Sequence, residues 1–422
     1  MTHRWLLAAA VLAMAAPAWA ETVVIRAGSV LRDAGGEPGG PATITVVDGK
    51  IQSVVDGAPP APAGATVIEL PGKTVLPGLI DLHVHLSSDP GGDFRNEAVE
   101  PDEWGVVVGT RNALATLRAG FTTVREAGSG QYVGFSLRRG TAEGVIPGPR
   151  IVAAGPALAI VGGHGDTTGF REDVHAVLDQ GYTCTGAVEC AEKVRKASRA
   201  GADVIKITAT GGVLSQQGRG LGAHFSDDEM KSIADTAHSL GLKVMAHAHG
   251  ARGIEAAAAA GIDTIDHGTF ADEAALKVMK AKGTWMVPTL MALEGVRARL
   301  GKGIYTPTVE VKARQAIETA GRQVTRSKAL GVPIAFGTDA GVFEHGRNAG
   351  EFALMVKAGL TNREALATAT TNAALALGME GEIGKIAPGY SADLIAVSGN
   401  PLADVRVLEK VDWVMARGRV AP

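Results

Sequence analysis

Short apolar runs alternate with longer stretches of mixed apolar and polar residues over most of the chain, beginning at residue 77. The short runs have the length of strands, and the longer stretches have the spacing of amphipathic helices. The predicted strands are 79–82, 122–125, 150–154, 203–208, 243–246, 263–266, 284–288 and 333–336. Predicted helices between them include 188–200, 226–240, 253–260, 272–282 and 308–330. Eight such units predict an α/β fold, a (β/α)8 TIM-like barrel over residues 77–378.

Both ends of the chain have a different pattern, in which predicted strands follow one another with only turns between them. In residues 21–76 the apolar runs alternate or are continuous, and Asp48 and Gly49 form a hairpin signal. Residues 379–422 return to short apolar runs. Neither end is long enough to bury a core alone. We therefore predict one small β-sandwich domain, built from 21–76 and 379–422 together, beside the barrel.

The first 20 residues form a separate targeting signal. His3 and Arg4 precede an apolar run, which closes on the small-x-small cleavage pattern AWA at 18–20. This pattern predicts a cleavable signal peptide over 1–20 and a mature chain from Glu21 that is periplasmic or secreted. The alternative is a membrane anchor, but the run is shorter than the about 20 apolar residues that span a bilayer.

The composition indicates a well-buried globular protein. Of 422 residues, 46% are hydrophobic and 20% are charged, and the net charge of -3 gives no basic footprint for nucleic acid. The chain has two cysteines, Cys184 and Cys190. They leave two alternatives open, a short-loop disulfide in an oxidising compartment or a pair of free thiols. A thiolate metal site is disfavoured because no further cysteine could complete it.

Six residues with metal-ligating chemistry fall at the ends of predicted strands. His83 and His85 lie one residue apart, and since strand side chains alternate, both project to the same side. The others each follow a later apolar run: Lys206, His247, His267 and Asp339. In a barrel of parallel strands these ends meet at one face, where such barrels carry their active sites. The pattern therefore predicts a metal centre there.

Lys206 is flanked by apolar residues on both sides. A buried lysine is unfavourable unless its charge is removed or paired. Reaction with carbon dioxide would turn its amine into a carbamate, an anion whose two oxygens can bridge two cations. Four imidazoles, one carbamate and one carboxylate suit zinc, with manganese or cobalt as alternatives. We therefore expect two divalent metal ions, in the first place Zn²⁺, with Lys206 carbamylated.

These motifs resemble the amidohydrolase superfamily, and within it the Xaa-Pro dipeptidases and the imidazolonepropionase-like metal-dependent hydrolases, including ochratoxin-hydrolysing amidohydrolases. The matching segments are GLIDLHVH at 78–85, IKITATGGVLS at 205–215, HAHG at 247–250, IDHG at 265–268, GTDAG at 337–341 and APGYSADL at 387–394. The resemblance implies a homo-oligomer, for example an octamer. It also implies how the two ions are held: one by His83, His85 and Asp339, the other by His247 and His267, with carbamylated Lys206 bridging both.

The predicted chemistry is amide hydrolysis by a hydroxide that bridges the two ions. Asp339 is expected to take the hydroxide proton and deliver it to the leaving amine, first as general base and then as general acid. His164, in a glycine-rich loop, and His249, two residues after His247, are predicted to act on the substrate. Further candidates for substrate contacts, among them arginines that could bind a carboxylate bidentately, are His345, Arg347, Arg219 and Arg125.

The resemblance implies small-molecule substrates, namely dipeptides or N-acyl amino acids with a free C-terminal carboxylate, including amides of the ochratoxin type. It leaves open which amino acid is released. One alternative is a cyclic amide or lactone hydrolase on the same metal pair. Another, from a different class, is a non-catalytic barrel scaffold that has lost its metals, although the presence of all six ligand types argues against it. A deaminase is disfavoured because deaminases of this superfamily lack the bridging lysine.

Overall fold

The computed structural model describes residues 22–91, 94–216 and 220–422. The predicted signal peptide, 1–20, lies outside these residues. The described strands are β1 (Thr22–Val30), β2 (Ala42–Val47), β3 (Lys50–Asp56), β4 (Thr66–Pro77), β5 (Leu79–Val84), β6 (Phe121–Glu126), β7 (Arg150–Ala153), β8 (Ala159–Ile160), β9 (Thr183–Cys184), β10 (Val204–Thr208), β11 (Lys243–Ala248), β12 (Thr264–His267), β13 (Trp285–Val287), β14 (Leu394–Val397), β15 (Val411–Ala416) and β16 (Arg419–Val420).

The described α-helices are α1 (Asp102–Arg118), α2 (Val133–Glu143), α3 (Glu172–Leu178), α4 (Ala187–Ala200), α5 (Asp227–Ser239), α6 (Ala251–Ala260), α7 (Glu273–Lys282), α8 (Leu290–Arg299), α9 (Pro307–Glu318), α10 (Arg322–Leu330), α11 (Gly350–Lys357), α12 (Asn362–Thr368) and α13 (Thr371–Leu377). Two 3-10 helices span Phe94–Ala98 and Val405–Glu409. Over the described ranges, no helix combines the length and the apolar character needed to cross a bilayer.

Strands and helices alternate through the middle of the chain, as the hydrophobic pattern predicts. The strands form two parallel sheets, one of order β5-β6-β7 and one of order β10-β11-β12-β13. Strands β5, β6, β10 and β12 are buried at every position. Such continuous burial is typical of parallel strands that are covered on both faces. The order and direction of the strands fit a TIM-like barrel.

Between the edges of the two parallel sheets, single residues pair with neighbouring strands through isolated β-bridges. Leu158 forms a parallel bridge with Ile207 of β10. On the other side, two more parallel bridges involve the segment that follows α10, Ile334 with Met286 and Ala340 with Val84. The predicted strand 333–336 is therefore wrong as a continuous element, because only an isolated residue of that segment pairs with its neighbour. Its position between β13 and β5 is nevertheless the position that an eighth barrel strand would take.

The two ends of the chain pair in one seven-stranded sheet of order β16-β15-β14-β4-β1-β2-β3. Strand β4, at its centre, pairs in parallel with β1 and antiparallel with β14, so it joins the two ends. One apolar cluster contains buried residues from both ends, including Val23, Ile25, Ile44, Leu394 and Met415. The prediction of a β-rich domain from both chain ends is confirmed, and its description as a two-layered sandwich stays a prediction.

Cys184 in β9 and Cys190 in α4 form a disulfide, with their Cα atoms 5.1 Å apart. Of the two alternatives that the sequence leaves open, the disulfide is thus the one found. Strand β9 pairs in parallel with β8. The loop between β8 and β9 contains His164, so the disulfide fastens one end of that loop to α4.

Candidate metal centre

Histidines at the ends of β5, β11 and β12 converge on one small region. The ring centroid of His267 lies 5.0 Å from that of His83 and 4.5 Å from that of His247. All three side chains are buried. His267 and Asp339 adopt left-handed backbone conformations, with φ of 70° and 62°. Such conformations are strained in residues other than glycine and concentrate at functional sites.

A first group of donor atoms comes from His83, His85 and Asp339. The Nε2 atoms of His83 and His85 are 3.3 Å apart, and each lies 3.4 Å from Oδ1 of Asp339. A tetrahedral zinc ion with bonds of about 2.0–2.1 Å places its ligand atoms about 3.3–3.4 Å apart. The three atoms therefore have the spacing that such an ion requires, and this group fits the predicted first ion.

A second group consists of His247, His249 and His267, whose ligand atoms lie within 4.8 Å of one another. One ring nitrogen of each is held by the protein: Nδ1 of His249 by Thr269 at 2.8 Å, Nδ1 of His267 by Thr289 at 2.7 Å, and Nε2 of His247 by the Gly211 carbonyl at 3.3 Å. Such contacts fix the tautomer and direct the opposite nitrogen toward a metal. The structure thus places His249, predicted to be catalytic, among the candidate ligands.

The His83 ring is oriented by a buried charged pair. Its Nδ1 contacts Oδ2 of Asp266 at 2.8 Å, and Oδ1 of Asp266 accepts a hydrogen bond from Arg125 at 3.2 Å. Arg125 also donates to the Leu82 carbonyl at 2.6 Å and to Thr264 at 3.1 Å. Because Arg125 is only 2% exposed and is bonded to these groups, its charge is directed at Asp266. This position corrects the interpretation of Arg125 as a substrate contact.

Asp81 links β5 to the segment that precedes Asp339. It accepts hydrogen bonds from the backbone N–H groups of His83 and Thr338 at 3.1 Å, from the Thr338 hydroxyl at 2.6 Å and from Asn348 at 2.8 Å. Burial raises the pKa of Asp81 to about 6. The sequence interpretation missed Asp81 and Asn348. An acidic residue inside the otherwise apolar run before His83 was the signal that could have identified Asp81.

Burial sets the protonation of the donor groups. It lowers the pKa of His83, His247 and His267 well below the ordinary value, and that of His85 to about 4. The rings are therefore neutral near pH 7, which is the state in which imidazole binds a cation. Burial also raises the pKa of Asp339 to about 7, and the nearby Lys206 opposes that shift.

Lys206 lies in β10 and is only 4% exposed. Burial lowers the pKa of its amine, although the carboxylates of Asp266 and Asp339 act in the opposite direction. Its charge lowers the pKa of both His83 and His267, so the side chain lies near both groups of donors. A lowered pKa increases the fraction of neutral amine, which is the form that can react with carbon dioxide.

His164 lies against the second group of donors. Its ring centroid is 4.2 Å from that of His247. Its carbonyl oxygen accepts a hydrogen bond from Thr208, and its backbone N–H donates to Nδ1 of His224 at 3.4 Å. The sequence interpretation did not single out His224. The structure thus brings His164 to the centre, as its place in the loop after the third predicted strand suggests.

The remaining candidates for substrate contacts do not share one location. His345 lies beside the first group, with Nε2 3.1 Å from the His85 carbonyl and Nδ1 3.3 Å from the Thr116 hydroxyl. Both ring nitrogens therefore contact the protein itself. The Arg347 side chain is 66% exposed and pairs with Glu344 at 2.9 Å. Arg219 lies outside the described residues.

Two groups of neutral imidazoles and one buried carboxylate at the ends of the central strands are the donors of a metal centre. Consistent with this geometry, the model of the amidohydrolase family matches residues 74–421. The chain therefore belongs to the amidohydrolase family, and the family predicted from the motifs is confirmed.

Comparison with individual proteins shows which members of the family this chain is similar to. Ochratoxinase from Aspergillus niger is 33% identical over 357 residues, which cover 80% of this chain and 72% of that protein. Among solved structures, a Xaa-Pro dipeptidase with methionine in its active site is similar with a TM-score of 0.89 at 36% identity, covering 95% of this chain and 99% of that one. A prolidase complexed with N-methylphosphonate-L-proline has a TM-score of 0.86 at 32% identity, covering 94% and 99%.

Proposed function

We propose that this protein hydrolyses the amide bond of dipeptides or N-acyl amino acids that carry a free C-terminal carboxylate, using two divalent metal ions. The observation that carries the proposal is the pair of adjacent donor groups, each of three residues, at the ends of the barrel strands. Similarity to proteins named ochratoxinase, Xaa-Pro dipeptidase and prolidase supports the substrate class.

The proposed ligands of the first ion are His83, His85 and Asp339. Those of the second ion are His247 and His267, and a carbamate on Lys206 contributes to both. Divalent ions bound there would polarise a substrate carbonyl and lower the pKa of a water molecule. Zinc suits this mixture of nitrogen and oxygen donors, and the spacing of the first group supports it.

Asp339 is proposed to transfer the protons. It takes one from the attacking water and returns one to the nitrogen of the leaving amine, so the C–N bond breaks as the N–H bond forms. His164, whose ring centroid lies 4.2 Å from that of His247, is proposed to donate a hydrogen bond to the oxyanion or to the substrate carboxylate.

A comparison of Asp339→Asn with the wild type tests this function. We expect about two equivalents of metal per wild-type chain by emission spectrometry, and release of free amino acids from a library of dipeptides and N-acyl amino acids. Asp339→Asn should lower kcat by about 10²- to 10⁴-fold. The matched control is Asp235→Asn, whose carboxylate is 62% exposed on α5 and pairs with Lys231.

Three outcomes would contradict the proposal. Normal turnover by Asp339→Asn would remove this residue from the mechanism. A single ring-opened product, obtained only from cyclic amides or lactones, would favour the alternative hydrolase activity. A wild-type chain that takes up no metal after reconstitution would favour the scaffold.

A further inference from the structure

A buried lysine outside the donor groups holds the backbone beside His164. Lys312 lies in α9 and is 4% exposed. Its ammonium group donates to the carbonyls of Gly212 at 2.8 Å and Ser215 at 2.7 Å, and to the Ser215 hydroxyl at 3.2 Å. A buried ammonium is unfavourable unless hydrogen bonds replace its hydration. These contacts therefore bind α9 strongly to the segment that follows β10.

That segment packs directly on the candidate site. A Cβ atom added to Gly212 would come within 2.5–2.6 Å of three atoms of the His164 ring, so the absence of a side chain at Gly212 lets its backbone pack directly on the imidazole. His247 is a second neighbour of the ring, at a centroid distance of 4.2 Å. The Ser215 hydroxyl donates to the Gly212 carbonyl at 2.9 Å, which adds a second restraint. The position of His164 thus depends on where Gly212 is held.

An apolar cluster also holds the segment after β10 in place. It joins Val213 of the segment to α8 and α9 through Leu293, Val296, Ala313 and Ala316. The helices between β13 and α10 and the segment after β10 therefore form one packed unit at the site. Within this unit, Lys312 bonds two backbone carbonyls, those of Gly212 and Ser215.

We propose that Lys312 is a positioning residue for the reaction: it holds Gly212 against His164 and thereby fixes the imidazole that faces the substrate. This role rests on the proposed function, because it assigns to His164 a contact with the substrate. Lys312 itself does not touch the reacting atoms. Its loss should therefore disturb the backbone at 211–216 and, through His164, substrate binding and orientation. Among the donors, the His247 ring contacts this backbone, through the Gly211 carbonyl at 3.3 Å.

The first test measures structure and does not depend on activity. Hydrogen–deuterium exchange of residues 211–216 is compared between wild type, Lys312→Met and the control Lys277→Met, whose lysine is 65% exposed on α7. We expect exchange at 211–216 to become at least about tenfold faster in Lys312→Met only. Exchange equal to that of the control would overturn the proposal, even if the wild type proved inactive on every substrate.

The second test asks whether Lys312 acts through His164. In the wild-type background, Lys312→Met should lower kcat/KM by about tenfold or more, since small misplacements of a positioned group are costly. In a His164→Ala background the same change should have little further effect, because the ring it positions is gone. Full additivity of the two losses would refute the link. Should Lys312→Met fail to fold, Lys312→Gln, whose shorter neutral side chain removes the ammonium, is the second variant, and unchanged exchange at 211–216 in that variant would also overturn the proposal.

Discussion

Replacing Arg125 by methionine tests how the buried charges beneath the centre contribute to stability. Arg125 and Asp266 are 2% and 0% exposed and lie 3.2 Å apart. Methionine fills a similar volume but removes the cation. Asp266 then keeps its contacts with His83 and Thr264 but loses its only described arginine partner. A carboxylate left in this buried position without its cation is strongly unfavourable.

The expected loss is about 3–5 kcal/mol of unfolding free energy, the range for removing one partner of a buried ion pair. A surface pair provides the comparison. Arg252 and Asp227 lie closer together, at 2.6 Å, but their side chains are 60% and 68% exposed. For Arg252→Met we expect about 0–1 kcal/mol, since water and salt screen exposed pairs. The order of the two losses is thus set by burial and is opposite to the order that the distances alone would predict.

Urea denaturation of both metal-free variants and of the wild type measures these losses. Because Asp266 also orients His83, Arg125→Met should in addition weaken metal binding by about 10- to 100-fold, which titration of the metal-free protein measures. Arg252→Met should leave metal affinity unchanged. Equal destabilisation by the two substitutions, or an Arg125→Met variant with wild-type metal affinity, would refute the reasoning.

Three further predictions concern pH, the disulfide and metal removal. Burial raises the pKa of Glu351 to about 8, so its contribution to stability is complete below pH 4–5 and is lost as the pH rises through 8. Glu351→Gln should therefore flatten the fall of unfolding free energy between pH 5 and 8, and an unchanged slope would contradict the assignment. Cys190→Ser opens a bridge between residues six apart and should cost about 2 kcal/mol in denaturant titrations, unlike a serine substitution at an exposed helical position. Chelation should lower the thermal midpoint, and zinc at about 1,000 times its dissociation constant should restore about 4 kcal/mol; a midpoint insensitive to both would argue against a metal site.

The alternation of apolar and polar residues was sufficient to predict most of the central strands and where the donors lie along them. It also predicted one helix over 308–330, which the structure divides into α9 and α10, and a continuous strand at 333–336, which is absent there. His83 and His247 end strands whose apolar character is visible locally, and parallel strands bring such ends to one face. The sequence could not reveal how side chains from distant elements pair. In the sequence, Arg125 has no feature that distinguishes it from a surface arginine. In the structure, Asp266 of β12, which lies 141 positions later, contacts its guanidinium. In the sequence, Lys312 has no feature that distinguishes it from other helical lysines. Its role becomes visible only in the structure, where the segment after β10 packs on α9 and accepts its hydrogen bonds.

The motif-based prediction and the geometry name different residues as the third ligand of the second ion. The motifs assign a carbamate on Lys206, whereas the donor atoms that lie within 4.8 Å of one another belong to His247, His249 and His267. An unmodified lysine is a poor ligand while it is protonated, but burial lowers the pKa of Lys206, and its neutral amine can attack carbon dioxide and release a proton to form the carbamate. The anion formed would also offset the positive charge of two ions in a buried site, which a third neutral imidazole would not.

We therefore expect Lys206→Met to lose the second equivalent of metal and His249→Gln to keep it, as measured by emission spectrometry after dialysis. Bicarbonate should accelerate metal uptake by the wild type and have no effect on Lys206→Met. The reverse pattern, in which His249→Gln binds one ion and Lys206→Met binds two, would make His249 the ligand. It would also reduce Lys206 to a buried amine near the centre, whose lowered pKa reflects burial alone.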